Sequence, residues 1–223
     1  MRAVELLLVL AVDASSSVSV PEFDLQMRGL AAAFRAPEVV QAIAETEPRG
    51  IAVALVQWSS PGSQVVAVDW TVAEDPASAE ALAQRIEGRG RLILGETSIE
   101  GALIFSTALL RSSGFVADRR VIDVSGDGQS NWGPDPDTVR DRAVASGITI
   151  NALAVTNEQP NLGTYYRDHV IGGPGAFVLS ADDYADFARA IRAKLLQEIG
   201  GEVISSAPGS RLTLAARTQA RHR

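Results

Sequence analysis

Cysteine is absent from the 223 residues. Without a thiol there is no disulfide scaffold, no thiolate zinc site, no iron–sulfur cluster and no cysteine nucleophile. Histidine is nearly absent too: the chain has His169 and His222, the latter in the last two residues. Imidazole catalysis and imidazole metal binding have little to work with. No long hydrophobic run is present either. The apolar stretch 6–12 is about a third of the roughly 20 residues that a membrane-spanning helix needs. It follows Arg2, as the core of an export signal would, but Glu5 and Asp13 bracket it tightly and it is short for such a core. The expectation is a cytoplasmic protein, or a periplasmic or secreted one if the N-terminus is shortened. Excess basic charge is also missing: 20 Lys and Arg face 27 Asp and Glu, for a net charge of −7. That balance argues against a nucleic-acid binder. Basic charge gathers at one place, residues 211–223, which hold four Arg and no acid.

What is present is a foldable chain. Hydrophobic residues at 46% against 21% charged suit a globular protein rather than a disordered one. The length suits one domain with a full core. We expect a single domain over residues 1–200, then a linker and a mobile Arg-rich tail over 201–223.

Periodicity alternates between strand and helix. Residues 4–12 form an apolar run of strand length, as in a central strand buried on both faces. A helix follows, with Phe23, Met27, Leu30 and Phe34 on one stripe. Ser19-x-x-Glu22 supplies a capping box and Pro21 stands in the first turn. Strands are expected at 51–58 and 64–70. The five residues between them, including Pro61 and Gly62, can close a hairpin but not a parallel crossover, so that pair is antiparallel and 64–70 lies at a sheet edge. Helices are expected at 76–86 and 98–110, and a strand at 120–124. A helix then ends at Gly147, followed by strands at 148–155 and 176–179. The last helix, 182–199, has Tyr184, Phe187, Ile191, Leu195 and Ile199 on one face. The class is α/β: a doubly wound, mostly parallel central sheet with one antiparallel edge strand and helices on both faces.

Such sheets bind ligands beyond the carboxyl ends of their strands. Three segments bring oxygen-bearing residues there. The first strand runs into Asp13-Ala14-Ser15-Ser16-Ser17, where extended alternation would point residues 13, 15 and 17 the same way. The strand 120–124 runs into Ser125-Gly126-Asp127-Gly128, and Thr97 precedes a helix in Gly95-Glu96-Thr97. Three hydroxyls and two carboxylates, with no sulfur or imidazole, describe a hard oxygen site. It suits Mg2+, with Mn2+ or Ca2+ as alternatives.

This set resembles the metal-ion-dependent adhesion site of von Willebrand factor A domains, and the likeness extends over residues 4–199. The segment 121–128 followed by Asn131 is similar to a bacterial family of uncharacterised proteins built on that domain. The resemblance implies that Ser15, Ser17 and Thr97 contact the metal, with Asp13 and Asp127 acting directly or through water. Glu96 stands where many members have Gly, and its charge is expected to alter which ligand approaches.

Plainer readings exist for each residue alone. Asp13-x-Ser-x-Ser can be loop polarity, Thr97-x-x-Glu100 can be a capping box, and Asp127 between two glycines can be a turn residue. Their joint occurrence at three strand edges favours the metal. Ser125 lacks the preceding glycine of a nucleophile elbow, and Gly172-Gly173-Pro174-Gly175 precedes a strand instead of following one. His169 reads as a surface or packing residue, and Trp132 as either a core residue or an exposed contact. The expected function is binding rather than catalysis. Neutral hydroxyl ligands leave much of a Mg2+ charge unquenched, and an Asp or Glu of a protein partner can replace a metal-bound water. No nucleic acid and no membrane span are expected. The alternatives are a metal-dependent hydrolase and a domain with a purely structural metal.

Overall fold

The computed structural model describes residues 1–46 and 48–200; the expected linker and tail at 201–223 lie outside the described residues. At its centre is β1 (Arg2–Asp13), whose apolar run is buried from Leu6 onward. Leu6, Leu8, Leu10 and Val12 face one hydrophobic layer while Leu7, Val9 and Ala11 face the other. Period-two alternation with both faces covered explains why the strand reads as continuously apolar. β1 pairs in parallel with β2 (Ile51–Trp58) on one side and with β4 (Phe115–Gly126) on the other. β5 (Thr149–Val155) and β6 (Val178–Ala181) extend the parallel sheet beyond β4. β3 (Gln64–Ala73) pairs antiparallel with β2, giving the order β3-β2-β1-β4-β5-β6 with β3 at an edge.

One face carries α1 (Val20–Arg35), α2 (Pro37–Ala44), α3 (Pro76–Glu87) and α7 (Phe187–Gly200); their Phe23, Phe34, Val39, Leu82, Phe187 and Leu195 share one core with Leu6, Leu8, Leu10 and Val12 of β1. The other face carries α4 (Ile99–Arg111), α5 (Asp137–Ala145), α6 (Leu162–Tyr165) and a π-helical turn at Tyr166–Val170. The capping box at α1 forms as read: Ser19 N–H donates to Glu22 Oε2 at 2.8 Å and Ser19 Oγ accepts from Glu22 N–H at 3.4 Å.

Several boundaries differ from expectation for local reasons. α7 begins at Phe187 and not at 182, because acidic side chains hold a turn there: Asp186 N–H donates to Asp183 Oδ1 at 2.9 Å and Asp182 N–H to Asp186 Oδ2 at 3.2 Å. Tyr184 is therefore buried from a turn instead of a helix face. β4 starts at Phe115, well before residue 120, because parallel pairing with the first residues of β1 makes a strand of a half that is exposed at every second residue and carries Arg119 and Arg120. β6 falls at Val178–Ala181, two residues later than expected. The sequence reading has no α2, α6 or π-helical turn. α2 buries Val39 and Ile43, too short a stripe for periodicity to reveal.

α7 is tied down by charge as well as by apolar packing. Lys194 Nζ, fully buried, lies 2.7 Å from Asp123 Oδ1 in β4 and 2.5 Å from Glu198 Oε1 one turn on. Asn151 Nδ2 of β5 donates to the same Glu198 oxygen at 2.9 Å. Arg119 donates to the carbonyls of Glu198 and Ile199 at 2.5 and 2.8 Å, closing the helix's C-terminus.

Candidate functional site

β1 and β4 are neighbours whose chains leave in opposite directions, β1 toward β2 and β4 toward β5. Their carboxyl ends therefore open a crevice at the topological switch point. The register pairs Val12 with Ser125, which sets Asp13 beside Gly126. A side chain at Gly126 would force its neighbours to shift: a Cβ would lie 2.8 Å from Asp13 Oδ2 and 2.7 Å from the Tyr166 hydroxyl. The missing Cβ is what lets the Asp13 carboxylate occupy the crevice.

Beyond Asp13 the chain turns instead of continuing extended. Ser15 N–H donates to Asp13 Oδ1 at 2.7 Å and Val18 N–H donates to the Ser15 carbonyl at 3.2 Å. Asp13 thus holds its own following turn, and the turn, not strand alternation, aligns the hydroxyls. Ser15 Oγ lies 3.2 Å from Ser17 Oγ, and Ser17 Oγ donates to Asp127 Oδ1 at 2.7 Å. One hydrogen-bonded string runs from Asp13 through Ser15 and Ser17 to Asp127. Asp13, Ser15 and Asp127 are buried while Ser16 and Ser17 are exposed, so the string opens to solvent at Ser17.

The loop 88–98 closes the third side. Ser16 donates to the Gly95 carbonyl through both N–H and Oγ, at 2.8 and 2.9 Å. Thr97 N–H donates to Asn131 Oδ1 at 2.9 Å, and the Thr97 carbonyl accepts from the N–H groups of Asn131 and Trp132 at 3.0 and 3.3 Å. Asn131 therefore splices the β4 loop to the α4 loop. The Thr97 hydroxyl takes no part in these bonds. Thr97 is also not the cap of α4: Ser98 is, its Oγ accepting from Gly101 N–H at 3.2 Å. The capping-box alternative for Thr97 is removed.

Asp13 is the electrostatic centre. Burial, and then the nearby negative charge of Asp127, push its carboxyl up to about 7 despite hydrogen bonds to Ser15. Asp13 Oδ2 is buried with no hydrogen-bond partner among the described residues. An orphaned buried carboxylate oxygen beside a second carboxylate is costly unless positive charge arrives. The donor set fits a hard divalent cation on that ground. Among the described residues no group of three or more His, Cys, Asp or Glu converges, so hydroxyls would have to complete any shell.

Sequence reasoning misses two tyrosines here. The π-helical turn brings Tyr166 in, and its hydroxyl donates to the Gly128 carbonyl at 3.2 Å. Burial raises the Tyr166 phenol well above its ordinary range, with the charges of Asp13 and Asp127 adding to the effect. Burial, then Asp127 and Asp13, raise Tyr184 likewise. Only the fold shows that these two apolar-looking positions border the carboxylates. Trp132 is exposed, which removes the core reading. Ser125 is buried at the end of β4. His169 is half-exposed and its Nδ1 lies 3.0 Å from Asp137 Oδ2 of α5. Among the described residues, no helix is long and apolar enough to cross a membrane.

Comparison with known structures places the fold. One similar structure is that of proximal thread matrix protein 1 from the mussel byssus with a zinc occupied MIDAS motif: TM-score 0.62, 16% identity, 89% of this chain and 49% of that one. Another is the von Willebrand factor domain of the type V pili tip protein Mfa5 from Porphyromonas gingivalis: TM-score 0.62, 13% identity, 94% of this chain and 98% of that one. A third is von Willebrand factor type A from Catenulispora acidiphila: TM-score 0.57, 16% identity, 88% and 43%. This chain spans about half the length of the mussel protein. At such identities the likeness is one of fold, and the fold is that of a von Willebrand factor A domain. A comparison with curated proteins finds no match. The family model described as "Protein of unknown function (DUF1194)" matches residues 3–203, and the chain belongs to that family.

Proposed function

We propose that the chain is a metal-dependent protein-binding module in which Ser15, Ser17 and Thr97 hold a Mg2+ ion, with Asp13 and Asp127 supporting it directly or through water. The observation that carries this reading is the string Asp13–Ser15–Ser17–Asp127, ending in an orphaned buried oxygen, at the switch point of the sheet. The mussel protein's zinc occupied MIDAS motif on the same fold supports a divalent ion at this place. When bound, the ion supplies an underneutralised positive charge open to an acidic group of a partner. The protein's own part is orientation. Asp13 fixes the serine turn and Asn131 fixes Thr97.

Binding rather than turnover is the reading, because the serine hydroxyls are engaged within the string and Tyr166 and His169 are bonded elsewhere. Tyr166 bonds Gly128, and His169 is paired with Asp137 of α5. Isothermal calorimetry with Mg2+ and Mn2+ tests the site: Asp13→Ala should abolish binding, and unchanged affinity would sink the assignment. Glu96 sits exposed next to Thr97. It should strengthen the hold on the cation, so that Glu96→Gly lowers metal affinity at low salt and not at high salt.

A further inference from the structure

Seven large apolar side chains are exposed among the described residues, and four of them sit on the loops and the start of α1 at this one edge: Val20 at 66%, Leu92 at 54%, Leu94 at 61% and Trp132 at 59%. Their placement is set by the bonds that build the site. Residues 91–96 alternate between sheltered and exposed, so Leu92, Leu94 and Glu96 share the outward face. Gly95, between the last two, is tied to Ser16, and Leu92 N–H donates to Gln57 Oε1 at 2.7 Å. Arg91 bonds the Ser19 carbonyl at 3.1 Å, setting Val20 beside the same strip. On the other side Trp132 is held through its own N–H to Thr97. Apolar groups thus flank the opening at Ser17 from two directions.

Resting on the metal reading above, we infer that the partner presents an Asp or Glu with large apolar residues within two positions of it, in an extended segment. The acid meets the cation while its neighbours cover Leu94 and Trp132. In an extended segment, residues two apart face the same side about 7 Å from each other, a spacing that lets one acid and its flanking side chains engage the surface together. A buried aromatic anchor ringed by apolar contacts is where interface energy concentrates. Charge favours the same occupant. Glu96, next to Thr97, is exposed, so a segment with several acids is repelled more strongly than one acid among apolar residues.

The test pans a phage-displayed random heptapeptide library on the intact chain, once in Mn2+ and once in EDTA. Peptides retained in Mn2+ alone should share one Asp or Glu with Leu, Ile, Phe, Trp or Tyr within two positions. Trp132→Ser and Leu94→Ser should each weaken a selected peptide about tenfold or more while leaving Mn2+ affinity unchanged by calorimetry. Acids with no apolar preference, or variants that bind as well as the parent, would overturn the inference and leave the metal site standing. So would Mn2+ binding with no metal-dependent peptide. Absence of Mn2+ binding itself would instead overturn the reading on which the inference rests.

Discussion

At the scale of single residues, Asp13 is both the residue most legible in the sequence and the one whose state the fold changes most. Its place after an apolar strand marks it, but only burial beside Asp127 raises its carboxyl from 3.8 to about 7. The sign follows from linkage. In metal-free protein the folded state keeps a proton that the unfolded state releases near pH 4, so this group's stabilisation is present at low pH and lost as pH rises toward 7. The integrated loss is on the order of 4 kcal/mol. Urea titrations in EDTA across that range should show a falling stability that Asp13→Asn flattens. The same variant should be more stable than the parent in EDTA at pH 8, yet gain nothing from Mg2+. Gly126 offers a second check. Gly126→Ala forces a Cβ against Asp13 Oδ2 and the Tyr166 hydroxyl and should cost about 1–3 kcal/mol by overpacking. Adding Tyr166→Phe should recover part of that, since it removes one of the two clashing atoms; strict additivity in denaturation would count against the contact.

At the scale of elements, hydrophobic period served where an element has one wet face or none. β1, β2, α1 and α3 are readable because their apolar positions repeat over two turns or more, or run unbroken. It failed where pairing or charge decides. The first half of β4 looks polar because alternate side chains reach solvent, and parallel pairing to residues 2–7 of β1 makes it a strand anyway. Lys194, Asp123 and Glu198 carry no signal of burial in the local sequence, but the register of α7 on β4 and β5 buries all three. Burial, and then the Glu198 charge, push the Asp123 carboxyl upward, with Lys194 opposing. Removing the lysine alone leaves acids in the core without their cation. Lys194→Met should therefore destabilise by about 3–5 kcal/mol, whereas Lys194→Met with Asp123→Asn and Glu198→Gln should cost much less. Equal losses for the two proteins in equilibrium urea unfolding would refute the triad as a coupled unit.

At the scale of the whole molecule, a ligand that binds only the folded state stabilises it. Mg2+ at a hundred times its dissociation constant should add about 2.7 kcal/mol. That corresponds to a melting temperature some 5–10 °C higher for a chain of this size. Asp127→Ala should lose the shift without losing the fold, because Asp127 closes the string through its bond to Ser17 and lies outside both hydrophobic clusters. A full shift in that variant would place the cation elsewhere.

The fold class was in the sequence by itself. Strand-length apolar runs alternating with amphipathic helices leave a parallel sheet covered on both faces, and the five-residue link before β3 forces its antiparallel edge. The types of atom offered at the switch point were there as well, since composition alone leaves oxygen and no sulfur. Only tertiary structure decided what those atoms do together. The Val12–Ser125 register and the serine turn bring residues 110 apart within a hydrogen bond. The release of Thr97 from capping depends on Ser98, and the approach of Tyr166 and Tyr184 to the carboxylates depends on a π-helical turn and an acidic turn. None of these has a local period to read. They arise from packing distant segments against one sheet, where distance along the chain says nothing about distance in space.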